Sequence, residues 1–310
     1  MSAPSVSTPK SFRHAAVIYR GIDEMVDRVA PFIAEGVALD EPVLVAELPD
    51  RVRALTAALG ADADRVTFLD MAEVGRNPAR IIPAWREFVG AHPGQAVRGV
   101  GEPAWAGRSP AELAECQLHE ALLNVAFDGL ADFELLCPYD ADALPGDVVA
   151  GAMRTHPDVG TFARAEDYGG HEHALLQFRR RLTDPPADAV EILFREEDLA
   201  VLRSIVRRLC EGARLDRDVT EDLVLAVHEL ATNSVRHGAG GGVLRGWQDA
   251  AAAVFEVADL GVIGDPLVGR EPVSEWSESG RGLWMANQLC DLVQVRSSDL
   301  GTTVRLHTWA

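Results

Sequence analysis

The stretch HELATNSVRHG, His228 to Gly238, decides how the second half of this chain reads. Glu229 and Asn233 are four residues apart, so they project from one face of a helix. His228, Arg236 and His237 add donors near its end. A lone E-x-x-x-N is ordinarily a solvated helix face; the downstream residues change that reading. Asp259 closes an apolar strand in DLGVIGDP, with Gly261 two residues on. Gly280-Arg281-Gly282-Leu283 opens a helix, and Gly301-Thr302-Thr303 leads into the last strand. Each piece has a use around a nucleotide. A carboxylate at a strand end accepts a hydrogen bond from adenine's exocyclic amine. A Gly-x-Gly turn at a helix start presents backbone N–H groups to phosphate, with the helix dipole favouring the anion. An asparagine carbonyl suits Mg2+, which prefers oxygen. Glu229, one turn away, is placed to act as a general base.

Around these motifs the second half reads as an α+β sandwich. A strand, Val190 to Arg195, precedes helices near Asp198–Glu211 and Arg217–Val235. Strands Gly242–Trp247 and Ala252–Ala258, a helix Leu283–Leu289 and a closing hairpin, Val293–Ser297 with Thr302–Thr308, complete it. The first half alternates strands and helices, which indicates a parallel sheet covered on both faces. Its strands are His14–Tyr19, Pro42–Leu48, Val66–Leu69, Ala96–Gly101 and Phe133–Cys137, with a long helix Pro110–Phe127. The expected division is a leader at 1–11, an α/β domain at 12–160, a linker at 161–188 with one short helix, Ala174–Arg181, and a second domain at 189–310.

Composition narrows the function. At 310 residues, about two domains are expected. Lys+Arg number 29 against 48 Asp+Glu, a formal net charge of −19. That balance argues against a direct nucleic-acid binder or an anionic-membrane binder, both of which need basic surface. The one lysine is Lys10, so 28 of the 29 basic residues are arginine. A P-loop lysine, the strand lysine of ordinary protein kinases and a Schiff-base lysine in a folded site are therefore absent. Cys116, Cys137, Cys210 and Cys290 are too scattered for a CxxC site and read as reduced thiols. The leader has no apolar h-region and no run approaches the ~18 apolar residues of a membrane helix, so a cytoplasmic protein is expected.

In order and spacing, the second-half motifs resemble the GHKL ATPase superfamily, which includes gyrases and histidine kinases. HELATNSVRHG looks like its N box, DLGVIGDP its first glycine box and GRGLWMANQLCD its second. The short stretch between Asp259 and Gly280 is most similar to the lid of bacterial anti-sigma factor serine kinases. The resemblance implies bound ATP and Mg2+, with Asn233 on the metal and Glu229 as catalytic base. It also implies Asp259 on adenine, and Arg236, His237, Gly261, Gly280, Arg281 and Gly282 around the nucleotide. Thr303 would support the adenine contact, with Thr302 the alternative one residue away. The partners implied are a sigma factor and an anti-sigma antagonist, with a C-terminal homodimer possible. A histidine kinase fits less well, because the helix DLAVLRSIVRRLCE holds no phosphoacceptor histidine and His171 and His173 lie in a polar boundary. A non-catalytic, nucleotide-gated binding module is the other alternative. Trp276 and Trp284 near the lid are either partner contacts or core.

In the first half GEPAW (Gly101–Trp105) and CPYD (Cys137–Asp140) follow expected strand ends, where open parallel sheets bind ligands. With HAAVIY and ECQLHEALLN they resemble the MEDS sensory domain of methanogen and methylotroph regulators. That implies a RecA-like fold and a small organic ligand, with His14, Tyr19, Glu102, Trp105, His119 and Tyr139 as candidate sensory residues. A metal site from His119, Glu115 and a cysteine is a poorly spaced alternative.

Overall fold

The computed structural model describes residues 12–129, 132–160, 162–213, 215–249, 252–271 and 280–309. The chain divides into two compact units, Met1–Ala174 and Leu175–Ala310.

The first unit runs β1 (Arg13–Tyr19), α1 (Gly21–Ala38), β2 (Val43–Glu47), α2 (Pro49–Leu59), β3 (Val66–Asp70), α3 (Met71–Val74), α4 (Ile81–Ala91) and β4 (Val97–Gly101). It continues with α5 (Pro110–Ala126), β5 (Phe133–Asp140), α6 (Gly146–Thr155), β6 (Asp158–Val159) and β7 (Ala163–Arg164); α7 (Gly170–Arg179) spans the division between the units. The sheet order is β3-β2-β4-β5-β1-β6-β7, parallel except where β7 meets β6. This is the covered parallel sheet that the strand–helix alternation implied. Met25, Val29 and Ile33 of α1 pack with Val45, Leu55 and Val100 in its core. SPAE starts α5 with a capping box: Ser109 accepts from the Glu112 N–H while the Glu112 carboxylate accepts from the Ser109 N–H. Several features depart from the sequence reading, the short helix α3 and the two-residue strands β6 and β7 among them. Helix α6 was not foreseen, and CPYD lies inside β5 rather than after it. Pro138 is tolerated there because β5 pairs with β4 only as far as Leu136, leaving no ladder bond on that side for the missing N–H.

The second unit holds β8 (Val190–Arg195), α8 (Leu199–Gly212), α9 (Arg217–His237), β9 (Gly241–Asp249), β10 (Ala252–Asp259), α10 (Arg281–Leu289), β11 (Leu292–Ser298) and β12 (Gly301–Trp309). Its sheet is antiparallel in the order β11-β12-β10-β9-β8. Alternation along each strand gives two unlike faces. Phe194, Leu244, Phe255, Val257, Val304 and Leu306 form the apolar, buried face, and α8 and α9 bury Val206, Val227 and Leu230. The other face is polar and nevertheless buried at Glu256, Arg305 and Arg296. Arg305 donates to Glu256 at 2.6 and 3.0 Å and to the Thr183 carbonyl at 2.6 Å, so the segment ahead of β8 lies over this face. Arg245 donates to the other Glu256 oxygen at 3.0 Å.

Removing one partner of a buried ion pair leaves its charge poorly compensated, at a cost of about 3–5 kcal/mol. Arg305→Ala is therefore expected to lower the urea midpoint of the chain substantially, followed by circular dichroism. A loss below about 1 kcal/mol, the scale of an exposed pair, would contradict the buried network.

Candidate functional site

The sequence motifs of the second unit converge at one end of α9. Asp259, the last residue of β10, is the hub. Its Oδ2 accepts from the buried Ser234 hydroxyl of α9 at 2.5 Å, and its Oδ1 accepts from the Gly261 N–H at 2.7 Å. A carboxylate has about four lone-pair sites, so capacity remains for a further donor. Glycines crowd this residue because nothing larger fits. A Cβ on Gly261 would lie 2.6 Å from the His237 carbonyl and 2.9 Å from Asp259 Oδ1. One on Gly238 would run into the Asp259 side chain, and one on Gly301 (φ +120°) into the Asp259 carbonyl.

The second glycine turn closes the arrangement. Gly280 adopts φ +86° at the N-cap of α10, a left-handed conformation that glycine takes without strain. It turns the chain so that Gly282 abuts α9. A Cβ there would lie 2.8 Å from Asn233 Nδ2 and 3.3 Å from Glu229 Cβ. Asn233 and Glu229 are half-buried, whereas Arg236, His237 and Arg281 are more exposed around them. Thr302 pairs in register with Asp259, and its hydroxyl donates to the Gly261 carbonyl at 2.8 Å. Thr303, one residue on, points to the opposite sheet face. Of the two alternatives, Thr302 is the one beside the Asp259 loop. Ser234 was not foreseen; a serine one residue after Asn233 carries no signal until the Asp259 contact is known. Residues 272–279 of the expected lid, with Trp276, lie outside the described residues, and Trp284 is half-buried on α10. A large cavity, about 1370 Å³, opens on the polar sheet face and touches this site along Gly238–Gly240, Asp259–Leu260 and Gly301–Thr303.

In the first unit the candidate sensory residues fall into separate groups. At the carboxyl edge of the sheet, the Tyr19 hydroxyl lies 3.0 Å from both Glu102 oxygens and Arg51 pairs with Glu102 at 3.1 Å. Glu47, at the end of β2, is fully buried beside them. Burial, opposed by Arg51, pushes the Glu47 carboxyl up to about 8. Burial and the Glu47 charge likewise raise Glu102. Glu47 and Arg51 were not singled out from sequence; each is an ordinary strand-end or helix residue until the topology brings β2 beside β4. Trp105 carries the Arg108 guanidinium over its ring at 3.5 Å. His14 and Tyr139 belong to a second cluster with Glu120, Cys137 and His156. Burial, reinforced by Glu120, raises the Cys137 thiol and the Tyr139 hydroxyl. Glu115 and His119 are both buried on α5, and the only metal-ligand grouping among the described residues includes neither. The convergent donors instead come from four separate elements. His171 and His173 lie on the first turn of α7, where His171 sits 3.2 Å from the Asn124 carbonyl.

Residues 13–157 match the model of the methanogen/methylotroph, DcmR sensory domain (MEDS). Residues 192–308 match the histidine kinase-like ATPase domain. The chain thus joins a MEDS domain to an ATPase domain of the histidine kinase-like, GHKL type, which is a nucleotide-binding class. No curated protein matches it. Among solved structures, the RsbU and RsbW domains of Rv1364c from Mycobacterium tuberculosis align over 44% of this chain and 40% of theirs, at 20% identity and a TM-score of 0.29. A second solved structure, itself an ATPase domain, aligns over 61% of this chain and 70% of its own, at 13% identity and a TM-score of 0.34. Likenesses that distant say nothing of what this chain binds or does, and the chain spans well under half of the first.

The Glu47 shift has a measurable consequence. Between about 4.5 and about 8 the folded state retains a proton that the unfolded state has released, so stability falls as pH rises through that window. Glu47→Gln holds the uncharged form at every pH. The variant is expected to gain melting temperature relative to the wild type between about pH 5 and about pH 8. Parallel melting curves across that range would contradict a buried, proton-bearing Glu47.

Proposed function

We propose that this chain is a cytoplasmic regulator of the anti-sigma-factor type. Its ATPase-type domain binds ATP with Mg2+, phosphorylates a serine or threonine on an anti-sigma antagonist, and controls a sigma factor. Its MEDS domain senses a small organic ligand. The observation that supports the reading is the seat of Gly282 against Asn233 and Glu229, the residues that would meet the phosphates, a divalent ion and the proton to be removed. The likeness of the motifs to anti-sigma serine kinases supports the choice of partners. Among the described residues no helix is long and apolar enough to cross a membrane, and all four cysteines are buried and free, which fits a reducing compartment.

When bound, ATP with Mg2+ supplies the transferable phosphoryl group. Asp259 keeps lone pairs for the adenine amine while holding Ser234 and Gly261. The N–H groups at the start of α10 would hold the phosphates, because the helix dipole favours negative charge there. Asn233 offers its carbonyl oxygen to Mg2+, with Arg281, Arg236 and His237 as cationic or donor groups at the rim. Glu229 accepts the proton released by the incoming hydroxyl. No lysine takes part in any of these roles. The α8 helix, Leu199–Gly212, carries no histidine, so the phosphoacceptor of a histidine kinase is missing there. A sensed ligand would switch the protein only through different affinities for two conformations. Homodimerisation through the ATPase domain belongs to the same proposal.

Labelled phosphoryl transfer from ATP to a purified anti-sigma antagonist of the same genome tests the kinase. Glu229→Ala should keep ATP binding and lower transfer by about 100- to 10,000-fold, the usual worth of a general base. A wild type that binds ATP yet labels no antagonist would point instead to the nucleotide-gated binding module. Acid-labile label on the chain itself would indicate a histidine kinase.

A further inference from the structure

The second cluster of the first unit has no part in the proposed kinase chemistry. His14 of β1, Glu120 of α5, Cys137 of β5 and His156, just after α6, are all buried, with one donor atom from each within 4.8 Å of every other. His14 Nε2 lies 3.1 Å from Glu120 Oε2 and 3.2 Å from Cys137 Sγ. His156 Nε2 lies 3.3 Å from the same Glu120 oxygen, without the alignment of a hydrogen bond.

The outer contacts fix which way these rings point. The Asn124 amide nitrogen donates to the Thr155 carbonyl at 2.7 Å and the Glu120 carbonyl at 3.2 Å. Its oxygen is therefore turned to accept from His14 Nδ1, at 3.2 Å. His156 Nδ1 donates to the Ala152 carbonyl at 2.9 Å. With both Nδ1 atoms acting as donors, the neutral rings present Nε2 lone pairs to a carboxylate oxygen and a thiol. The thiol proton can serve the His14 lone pair, but His156 Nε2 and the Glu120 oxygen face one another at 3.3 Å with no proton between them, a repulsion that a cation among the donors would relieve. A ligating histidine whose other nitrogen is held by a carbonyl is the usual outer shell of a metal site.

We propose that His14, Glu120, Cys137 and His156 bind one divalent transition-metal ion, Zn2+ in the first instance. Two neutral imidazoles, a carboxylate and a thiolate carry two negative charges, which cancel those of a divalent ion, so the buried site is neutral as a whole. The nitrogen, oxygen and sulfur donors match the borderline preference of Zn2+ and its tetrahedral coordination. Binding deprotonates Cys137, and the thiol proton leaves to solvent. With four protein ligands the site is closed, so its role is structural: it ties β1, β5, α5 and the end of α6 together. Ligand recognition in this unit then falls to the Tyr19–Arg51–Glu102 group at the sheet edge.

The test uses the full chain. Metal content is measured by mass spectrometry after dialysis, and the chelator-stripped protein is titrated with Zn2+ and with Co2+. One Zn2+ per chain, a melting temperature raised by Zn2+, and the visible spectrum of tetrahedral Co2+ with a thiolate charge-transfer band are expected. Cys137→Ala should lose that band. Asn124→Ala, which removes none of the four proposed ligands, should weaken Zn2+ binding by about 10- to 100-fold. This second variant keeps the proposal testable if the first does not fold. The double variant His171→Ala/His173→Ala should leave binding intact. A folded wild type that takes up no metal would overturn the proposal. So would a Co2+ spectrum indifferent to Cys137→Ala, an affinity indifferent to Asn124→Ala, or binding that disappears with His171 and His173.

Discussion

One carboxylate organises the ATPase-type unit. Asp259 holds Ser234 of α9 through one oxygen and the Gly261 amide through the other, and so fixes the helix, the strand end and the glycine loop in one geometry. Gly238, Gly261 and Gly301 come from three different parts of the chain, yet each is glycine because a side chain would strike Asp259 or its immediate surroundings. Thr302 completes the ring by donating to the Gly261 carbonyl. The buried Ser234 hydroxyl also reaches the Leu230 carbonyl at 3.2 Å, so losing its Asp259 bond costs about 0.5–1.5 kcal/mol, the net worth of one hydrogen bond. The site is thus set by the same bonds that hold the fold.

The two units use buried charge differently. In the second, Glu256 is neutralised by Arg305 and Arg245 on a polar sheet face. In the first, Glu47 and Glu102 share one arginine, Arg51, and burial raises both carboxyls. Two carboxyls competing for a single cation at the carboxyl edge of a parallel sheet form a poised group, whose protonation a bound ligand would alter. Perturbed carboxyls of this kind occur at functional sites and also in structural ion-pair networks.

Much of this was legible in the sequence. The five longer strands of the first sheet, the strands of the second and the long helices follow from apolar periodicity, as with the helix expected at Arg217–Val235 and found at Arg217–His237, whereas the two-residue β6 and β7 leave no such signal. The N-box-like and glycine motifs stand out because each is a short pattern on one element, while the contacts that gather Ser234, Gly261 and Thr302 around Asp259 exist only in the fold. Helix α6 was missed because glycines at 146 and 151 weaken its helical signal. The metal-type cluster was missed for a related reason. Its donors come from β1, α5, β5 and the residue after α6, and no spacing along the chain records the parallel order that joins them. The Thr183 contact was equally hidden, since Arg305 on an alternating strand reads as solvated until a preceding segment covers it.

The central claim is that Asp259 reads the base of a nucleotide held between α9 and α10. Adenine presents an amine where guanine presents a carbonyl oxygen, so a carboxylate attracts the first and repels the second. Calorimetric titration of ATP and GTP, each with Mg2+, into the wild type and Asp259→Asn tests this directly. The account predicts that the wild type binds ATP at least about tenfold more tightly than GTP, a difference of ~1.4 kcal/mol, and that Asp259→Asn loses most of the preference. Equal affinity for the two nucleotides, or no ATP binding by the folded wild type, would contradict it.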